Sequence, residues 1–174
     1  MSVVMERPDS TCAAAGGRVP QEVRQRLEDF LAGYCHQIDD GDIDSWPGFF
    51  AERCVYEITT RQNVEAGLPI GIMYCEGRGM LEDRIKAMKT ANIFEQHVYC
   101  HLTGRPEIRE EGPASYSLRS NFAIYRTMYT GAAELFATGK YLDTVSLAEG
   151  EPFFTRRKVV LDSRSLDTLL VIPF

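Results

Sequence analysis

Apolar residues recur at helical spacing in much of the first half of the chain and at strand spacing throughout the second. After Pro20 they recur every three or four residues, which predicts an amphipathic helix that ends at the turn signal 39–42. A second helical pattern covers 77–91, and an aromatic-rich segment at 44–50 predicts a short helix between them. The N-terminal half is therefore expected to supply three helices.

Period-two alternation and β-branched residues predict the strands. The predicted strands are 54–59, 70–75, 96–108, 115–129, 134–147 and 153–161. A loop at 60–69 separates the first two, and a short apolar tail at 169–174 closes the chain. Because helices come first and an antiparallel meander later, the pattern predicts an α+β fold. We expect a cone, in which a curved mixed or antiparallel sheet of about six strands carries the three helices on its concave face.

Residues 20–174 are expected to form a single domain, since no linker or internal repeat interrupts them. Residues 1–19 are mostly polar, and we expect a flexible N-terminal arm there. Their only apolar block, at 13–15, is too short for a signal-peptide core, and no apolar run approaches the ~20 residues that span a bilayer. The expected location is the cytoplasm, without a membrane partner.

The charge of the chain argues against a nucleic-acid partner. The net charge is −6, whereas nucleic-acid binders usually present a basic face. The nearest basic cluster, Arg156-Arg157-Lys158, lies inside an apolar strand pattern. We interpret it as part of a solvated or interface-facing strand.

The cysteines predict free thiols. There are five, at wide spacing and without a Cys-x-x-Cys motif. A disulfide framework or a zinc site is not expected from this pattern, and buried thiols in a reducing compartment fit it best.

The three histidines do not form a convincing metal motif. His36 lies on the polar flank of the first helix, where we expect a solvated side chain. His97 and His101 share one face of a predicted strand, but four residues of strand separate their Cα atoms by ~13 Å. We therefore expect them to line a cavity or an interface, and we predict no metal-binding residue.

Acid–base chemistry stays open at this point. A conical cavity lined by Tyr34, Tyr56, His97 and His101, with a carboxylate such as Asp40, could serve an isomerase or a dehydratase. The same cavity could also bind a small molecule without catalysis. The residue pattern does not show which polar groups face it, and no nucleophile or phosphate-binding loop stands out.

Five segments of the chain resemble a known family. They are Asp44–Phe50, Glu65–Pro69, Asp83–Ile85, Tyr99–Gly104, and Leu161–Ser163 together with Asp167–Leu169. In this order they resemble the small (β) subunit of Rieske non-haem iron aromatic-ring-hydroxylating dioxygenases, over about 23–174. The resemblance implies the fold of nuclear transport factor 2 (NTF2), which ketosteroid isomerase and scytalone dehydratase share. The most similar types act on carboxylated aromatics such as terephthalate, salicylate or anthranilate.

The resemblance implies a structural chain without catalytic or cofactor-binding residues of its own. The Cys-x-His and Cys-x-x-His pairs of a Rieske cluster are absent, and the spacing from Glu95 to His97 and His101 does not fit an iron motif. The Rieske [2Fe-2S] cluster and the mononuclear Fe(II) are thus expected in a large α subunit. A homotrimer of this chain would join three such subunits as α3β3, in an oxygenase that uses NAD(P)H.

One late strand is apolar on both faces, as an assembling subunit requires. Phe122, Ile124 and Met128 alternate with Tyr125, Thr127 and Tyr129. Such a strand needs two partners, its own helices and a surface outside, unless the sheet folds over onto itself. Arg126 and Arg156 interrupt apolar strand faces, and each is expected to reach water or a carboxylate, in its own chain or in a neighbour.

Overall fold

The computed structural model describes residues 19–69, 71–91, 97–148, 150–164 and 173–174. The helices are α1 (Gln21–Asp39), a 3₁₀ turn (Trp46–Phe49), α2 (Arg61–Glu65) and α3 (Arg78–Ala91). The strands are β1 (Phe50–Thr60), β2 (Met73–Glu76), β3 (His97–Thr103), β4 (Glu107–Gly112), β5 (Ser115–Met128), β6 (Ala133–Ser146) and β7 (Phe153–Leu161). The predicted α+β class is confirmed.

The described strands form one mixed sheet in the order β2-β1-β7-β6-β5-β3, and β4 also pairs with β5. Strand β1 runs parallel to β7, and the other pairs are antiparallel. The sheet has seven strands rather than about six, because the predicted strand 96–108 is divided. Thr103 ends β3 and Glu107 begins β4, with Gly104 and Pro106 between them. Since proline has no N–H to donate, it interrupts a strand ladder at this point.

The helices cover the inner face of the sheet. Helix α1 buries Leu27, Tyr34, Cys35 and Ile38, and α3 contributes Leu81, Ile85 and Met88 to the same core. These residues belong to the apolar stripes that predicted the two helices. The segment 60–69, predicted as a loop, contains the short helix α2, whose first free N–H groups are partly satisfied by the Thr60 hydroxyl, 3.2 Å from the Asn63 nitrogen.

Several predictions fall partly or wholly outside the described residues. The flexible arm at 1–19 does so except for Val19, which is buried. The predicted starts of two strands, Ile70 and Gln96, and most of the tail 169–174 also lie outside. Of that tail, Pro173 and Phe174 are described, and both are buried.

The central strands have one buried and one outward face, as their alternation predicts. On β5, Phe122 and Ile124 are buried, whereas Tyr125 is exposed. On β7, Arg157 points inward, and its neighbours Arg156 and Lys158 point outward, where both form ion pairs with Glu57. Arg156 thus reaches a carboxylate of its own chain, as expected, and so does Arg126, which is buried and pairs with Glu134. Arg157 is buried more completely than either.

Candidate functional site

A cluster of aromatic residues packs inside the cone, and hydrogen bonds link several of its members. The indole nitrogen of Trp46 donates to the Tyr34 hydroxyl (2.8 Å), which donates to the carbonyl oxygen of Phe174 (2.6 Å). The Phe174 nitrogen donates to the Tyr56 hydroxyl at 3.1 Å. The ring of Phe174 packs near Tyr99, Phe122 and Phe136. Tyr34 and Tyr56, predicted as cavity-lining residues, are fully buried and bond to protein atoms.

An ion pair lies beside this aromatic cluster. Arg157 donates to Asp143 over 2.8 Å, and both side chains are only 1% exposed. The guanidinium carbon of Arg157 lies 4.1 Å from the ring centre of Tyr34 and 3.8 Å from that of Tyr141. These rings attract the cation through their negative faces, which helps to hold it away from water.

Burial dominates the protonation of this region. It raises the pKa of Asp143 to about 7, and the positive charge of Arg157 offsets only part of the rise. Burial alone would lower the pKa of Arg157. Asp143 and the nearby tyrosines outweigh this effect and raise the pKa of Arg157 above its ordinary value. Burial also raises the pKa values of Tyr34, Tyr56 and Tyr141, so their hydroxyls stay neutral.

A histidine–carboxylate couple joins α1 to β3. Nδ1 of His101 lies 2.5 Å from Asp39 Oδ1, and the His101 backbone nitrogen donates to Asp39 Oδ2 at 2.9 Å. Asp39 thus orients the imidazole and favours the tautomer with a proton on Nδ1. The carboxylate is Asp39 and not Asp40, which is exposed.

A cavity of about 500 Å³ lies next to this couple. Asp39, His97 and Tyr99 line it, and its apolar walls include Ile43, Met88 and Met128. His101 is not among its lining residues, and the His101 side chain is fully buried. The couple therefore has the orientation of an acid–base pair, but the imidazole does not open onto this cavity.

The described residues contain no group of three or more histidines, cysteines or acidic residues placed to hold a metal ion. His97 and His101 lie on the same face of β3, and Tyr99 stands between them. His36 is exposed, as predicted. None of the described helices is long and apolar enough to cross a membrane.

The cysteines are only partly as expected. Cys35, Cys54 and Cys75 are buried free thiols, and burial raises the pKa of Cys35 to about 11. Cys100 is exposed, contrary to the prediction of buried thiols, because the inward positions of β3 are taken by Tyr99 and His101. Cys12 lies outside the described residues.

The outward face of the sheet carries a continuous apolar surface, here called the outer patch. It consists of Val98, Cys100, Leu102, Tyr125 and Leu135, all exposed. In the sheet register Tyr125 lies opposite both Cys100 of β3 and Leu135 of β6, so the patch crosses three adjacent strands. Large exposed apolar patches of this kind typically mark interaction sites.

The family model described as "Ring hydroxylating beta subunit" matches residues 35–168. The chain belongs to this family. Its sequence is 38% identical, over 83% of this chain and 94% of the relative, to terephthalate 1,2-dioxygenase terminal oxygenase component subunit beta 2 from Comamonas sp.. This beta subunit is also 33% identical, over 80% of the chain and 87% of the relative, to the anthranilate 1,2-dioxygenase small subunit from Burkholderia cepacia.

Solved structures agree with the assignment. A crystal structure assigned as the beta subunit of an aromatic-ring-hydroxylating dioxygenase from Novosphingobium aromaticivorans superposes with a TM-score of 0.82 at 32% identity. The match covers 90% of this beta subunit and 100% of that chain. Naphthalene 1,2-dioxygenase has the same fold, with a TM-score of 0.70 at 16% identity over 88% of this chain and 86% of that one. The predicted family and its NTF2-like fold are confirmed.

Proposed function

We propose that this beta subunit is the structural, non-catalytic component of an aromatic-ring-hydroxylating oxygenase. The observation that carries the proposal is the outer patch, whose exposed apolar side chains span three adjacent strands. Copies of the chain cover it in a homotrimer, and the trimer holds three large subunits as α3β3. Obligate interfaces of this type usually bury more than ~2,000 Å².

The chemistry then belongs to the large subunit. That subunit would hold the Rieske cluster and the mononuclear iron, and the complex would take electrons from NAD(P)H in the cytoplasm. The names of the terephthalate and anthranilate relatives support a carboxylated aromatic substrate. Within the described part of this chain, the interior filled by Phe174 and its neighbours leaves Tyr34 and Tyr56 no access to such a molecule.

The assembly is tested by placing a charge in the outer patch. Leu102→Glu puts a carboxylate at a position that is 55% exposed, and Leu68→Glu makes the same change at a position that is 56% exposed outside the patch. Sedimentation velocity should give a trimer for the unmodified chain and for Leu68→Glu, and a single chain for Leu102→Glu. A monomeric unmodified chain, or equal behaviour of the two variants, would contradict the proposed interface.

The non-catalytic role is tested in the assembled oxygenase. Asp39→Asn and His101→Gln change the oriented histidine–carboxylate couple that joins α1 to β3. Both variants should keep kcat within about threefold, since neither residue takes part in the reaction. A loss of about a hundredfold or more in a complex of normal composition would show that the couple does chemistry.

A further inference from the structure

The cavity of about 500 Å³ beside Asp39 is bounded by three parts of the fold: the end of α1 with the turn that follows it, helix α3, and the strands β3 and β5. On the strands, His97 and Met128 lie opposite each other in the sheet register. Helix α3 contributes Met88, and the turn after α1 contributes Ile43. Met88 and Ile43 also belong to the buried core, so the core holds these walls in place.

The size and the lining of the cavity fit a small apolar ring. Its apolar walls are formed by Ile38, Ile43, Met88, Val98 and Met128. Small-molecule sites typically measure ~300–1,000 Å³ and are mostly apolar, with a few polar groups that orient the ligand. Methionine side chains adapt to the shape of a ligand and make favourable contacts with aromatic rings. A ligand with one aromatic ring and a polar substituent therefore fits this cavity.

The charge at the cavity is negative. Asp39 is a lining residue, and its side chain keeps 19% of its surface accessible. Asp40 and Asp42 are exposed on either side of Gly41, which also lines the cavity. Helix α1 ends at Asp39, and the carboxyl end of a helix carries a partial negative charge. No lysine or arginine is among the described residues that line the cavity, so this charge favours a cation over an anion.

The cations of the surrounding elements already have acidic partners. Arg126 lies on the same face of β5 as Met128, but it pairs with Glu134 and does not line the cavity. On α3, Lys89 pairs with Asp44. Neither cation is therefore placed to bind an anionic ligand in the cavity.

We propose that this cavity binds a small apolar amine, whose ring packs between Met88 and Met128 and whose ammonium group lies at Asp39. Asp39 can accept from the amine while it holds His101, because a carboxylate has about four acceptor positions and His101 uses two of them. A carboxylated aromatic of the same size carries the wrong charge for this cavity. The inference does not depend on the proposed assembly.

Methyl NMR of the full chain, isotope-labelled at the methionine methyl groups, tests the site and its position together. Benzylamine is the probe, and it should shift the Met88 and Met128 signals saturably, with a Kd on the order of 1 mM. Met80 is the internal control, since it lies on α3, is 47% exposed and is not among the lining residues. Benzoate has a similar size but a negative charge, and it should bind about tenfold more weakly or less.

Two pairs of variants separate charge from space. Asp39→Asn keeps the shape of the side chain and removes its charge, and should weaken benzylamine binding about tenfold. Asp40→Asn, at the exposed neighbouring position, should leave the affinity unchanged. Met88→Trp should fill the cavity and abolish binding, whereas Met80→Trp on the same helix should not. The titration of the unmodified chain decides the question even where Met88→Trp does not fold.

Three results would overturn the inference. The first is no shift at Met88 and Met128 up to about 20 mM benzylamine, well above the Kd expected for so small a ligand. The second is benzoate binding as tight as that of benzylamine, which would exclude the proposed charge preference. The third is a shift at Met80 alone, which would place the amine on the surface. None of these results bears on the trimer, which sedimentation tests separately.

Discussion

Arg157 and Asp143 are the residues whose burial is hardest to explain by packing alone. A buried ion pair gains little over an apolar pair of the same shape, but breaking it leaves a charge in the core. Arg157→Met should therefore cost about 3 to 5 kcal/mol of unfolding free energy at about pH 8. Urea denaturation followed by circular dichroism measures it.

The controls for this change separate charge from volume. Replacing both partners, as Arg157→Met with Asp143→Leu, should recover much of the loss, since no unpaired charge remains. Arg109→Met removes an exposed arginine that pairs with Glu107 on the surface, and should change stability little. If the double variant is no more stable than Arg157→Met, lost packing rather than charge explains the cost.

The raised pKa of Asp143 predicts how stability depends on pH. The carboxyl holds its proton up to about pH 7 in the folded chain, compared with an ordinary value of 3.8. Between these values the folded state binds more protons than the unfolded state, so stability falls as the pH rises. From about pH 5 to about pH 8 the loss should be on the order of 2 to 3 kcal/mol. Asp143→Asn should lack this component, and equal pH slopes in the two proteins would contradict it.

Arg157 and Asp39 show how far the site could be predicted from the sequence. Strand alternation alone would turn either Arg156 or Arg157 inward, and the register of β7 beside β6 decides for Arg157. Asp39 follows Cys35 by one helical turn and so continues the buried stripe of α1, whereas Asp40 does not. That spacing could have identified Asp39. No local signal pairs it with His101, because 62 residues separate them.

At the scale of elements, the spacing of apolar residues predicted the helices and strands that form from local sequence. The two long helices and the strands β5, β6 and β7 follow directly from spacing of apolar residues. The parallel pairing of β1 with β7 could not be predicted this way, since it joins distant segments. The division of β3 from β4 has a local cause in Pro106. The prediction of one strand over 96–108 gave more weight to the pattern of apolar residues than to this proline.

The junction of α1 with β3 depends on Asp39. Strand β3 is the last strand on the sheet path, so some of its backbone N–H groups lack a strand partner. Asp39 accepts a hydrogen bond from one of these groups, the backbone N–H of His101, at 2.9 Å. Asp39→Ala should cost about 1 to 3 kcal/mol and speed hydrogen exchange at the His101 amide. Asp40→Ala, at the exposed neighbouring position, should change neither. Equal exchange in both variants would mean that the strand edge is held by other contacts.

At the scale of the whole molecule, the two faces of the sheet have different tasks. The inner face is closed by α1, α3, the aromatic cluster and Phe174, which leaves the His101 side chain sealed. The outer face keeps apolar side chains exposed on β3, β5 and β6. The exposed apolar side chains of the outer face are what the proposed assembly role requires, and the cavity of about 500 Å³ beside Asp39 is the part of the interior that stays open.

An assembling chain should gain stability from its own concentration. Copies that bind only the folded state stabilise it by mass action, by about 2 kcal/mol per chain for a hundredfold rise in the concentration of a trimer. For a chain of this size Tm should then rise by about 4 to 8 °C, as measured by scanning calorimetry across that range. Leu68→Glu should show the same rise, whereas Leu102→Glu should show none, since its charge cannot be buried between copies. A Tm independent of concentration in the unmodified chain would mean that the outer patch is covered by the large subunit alone.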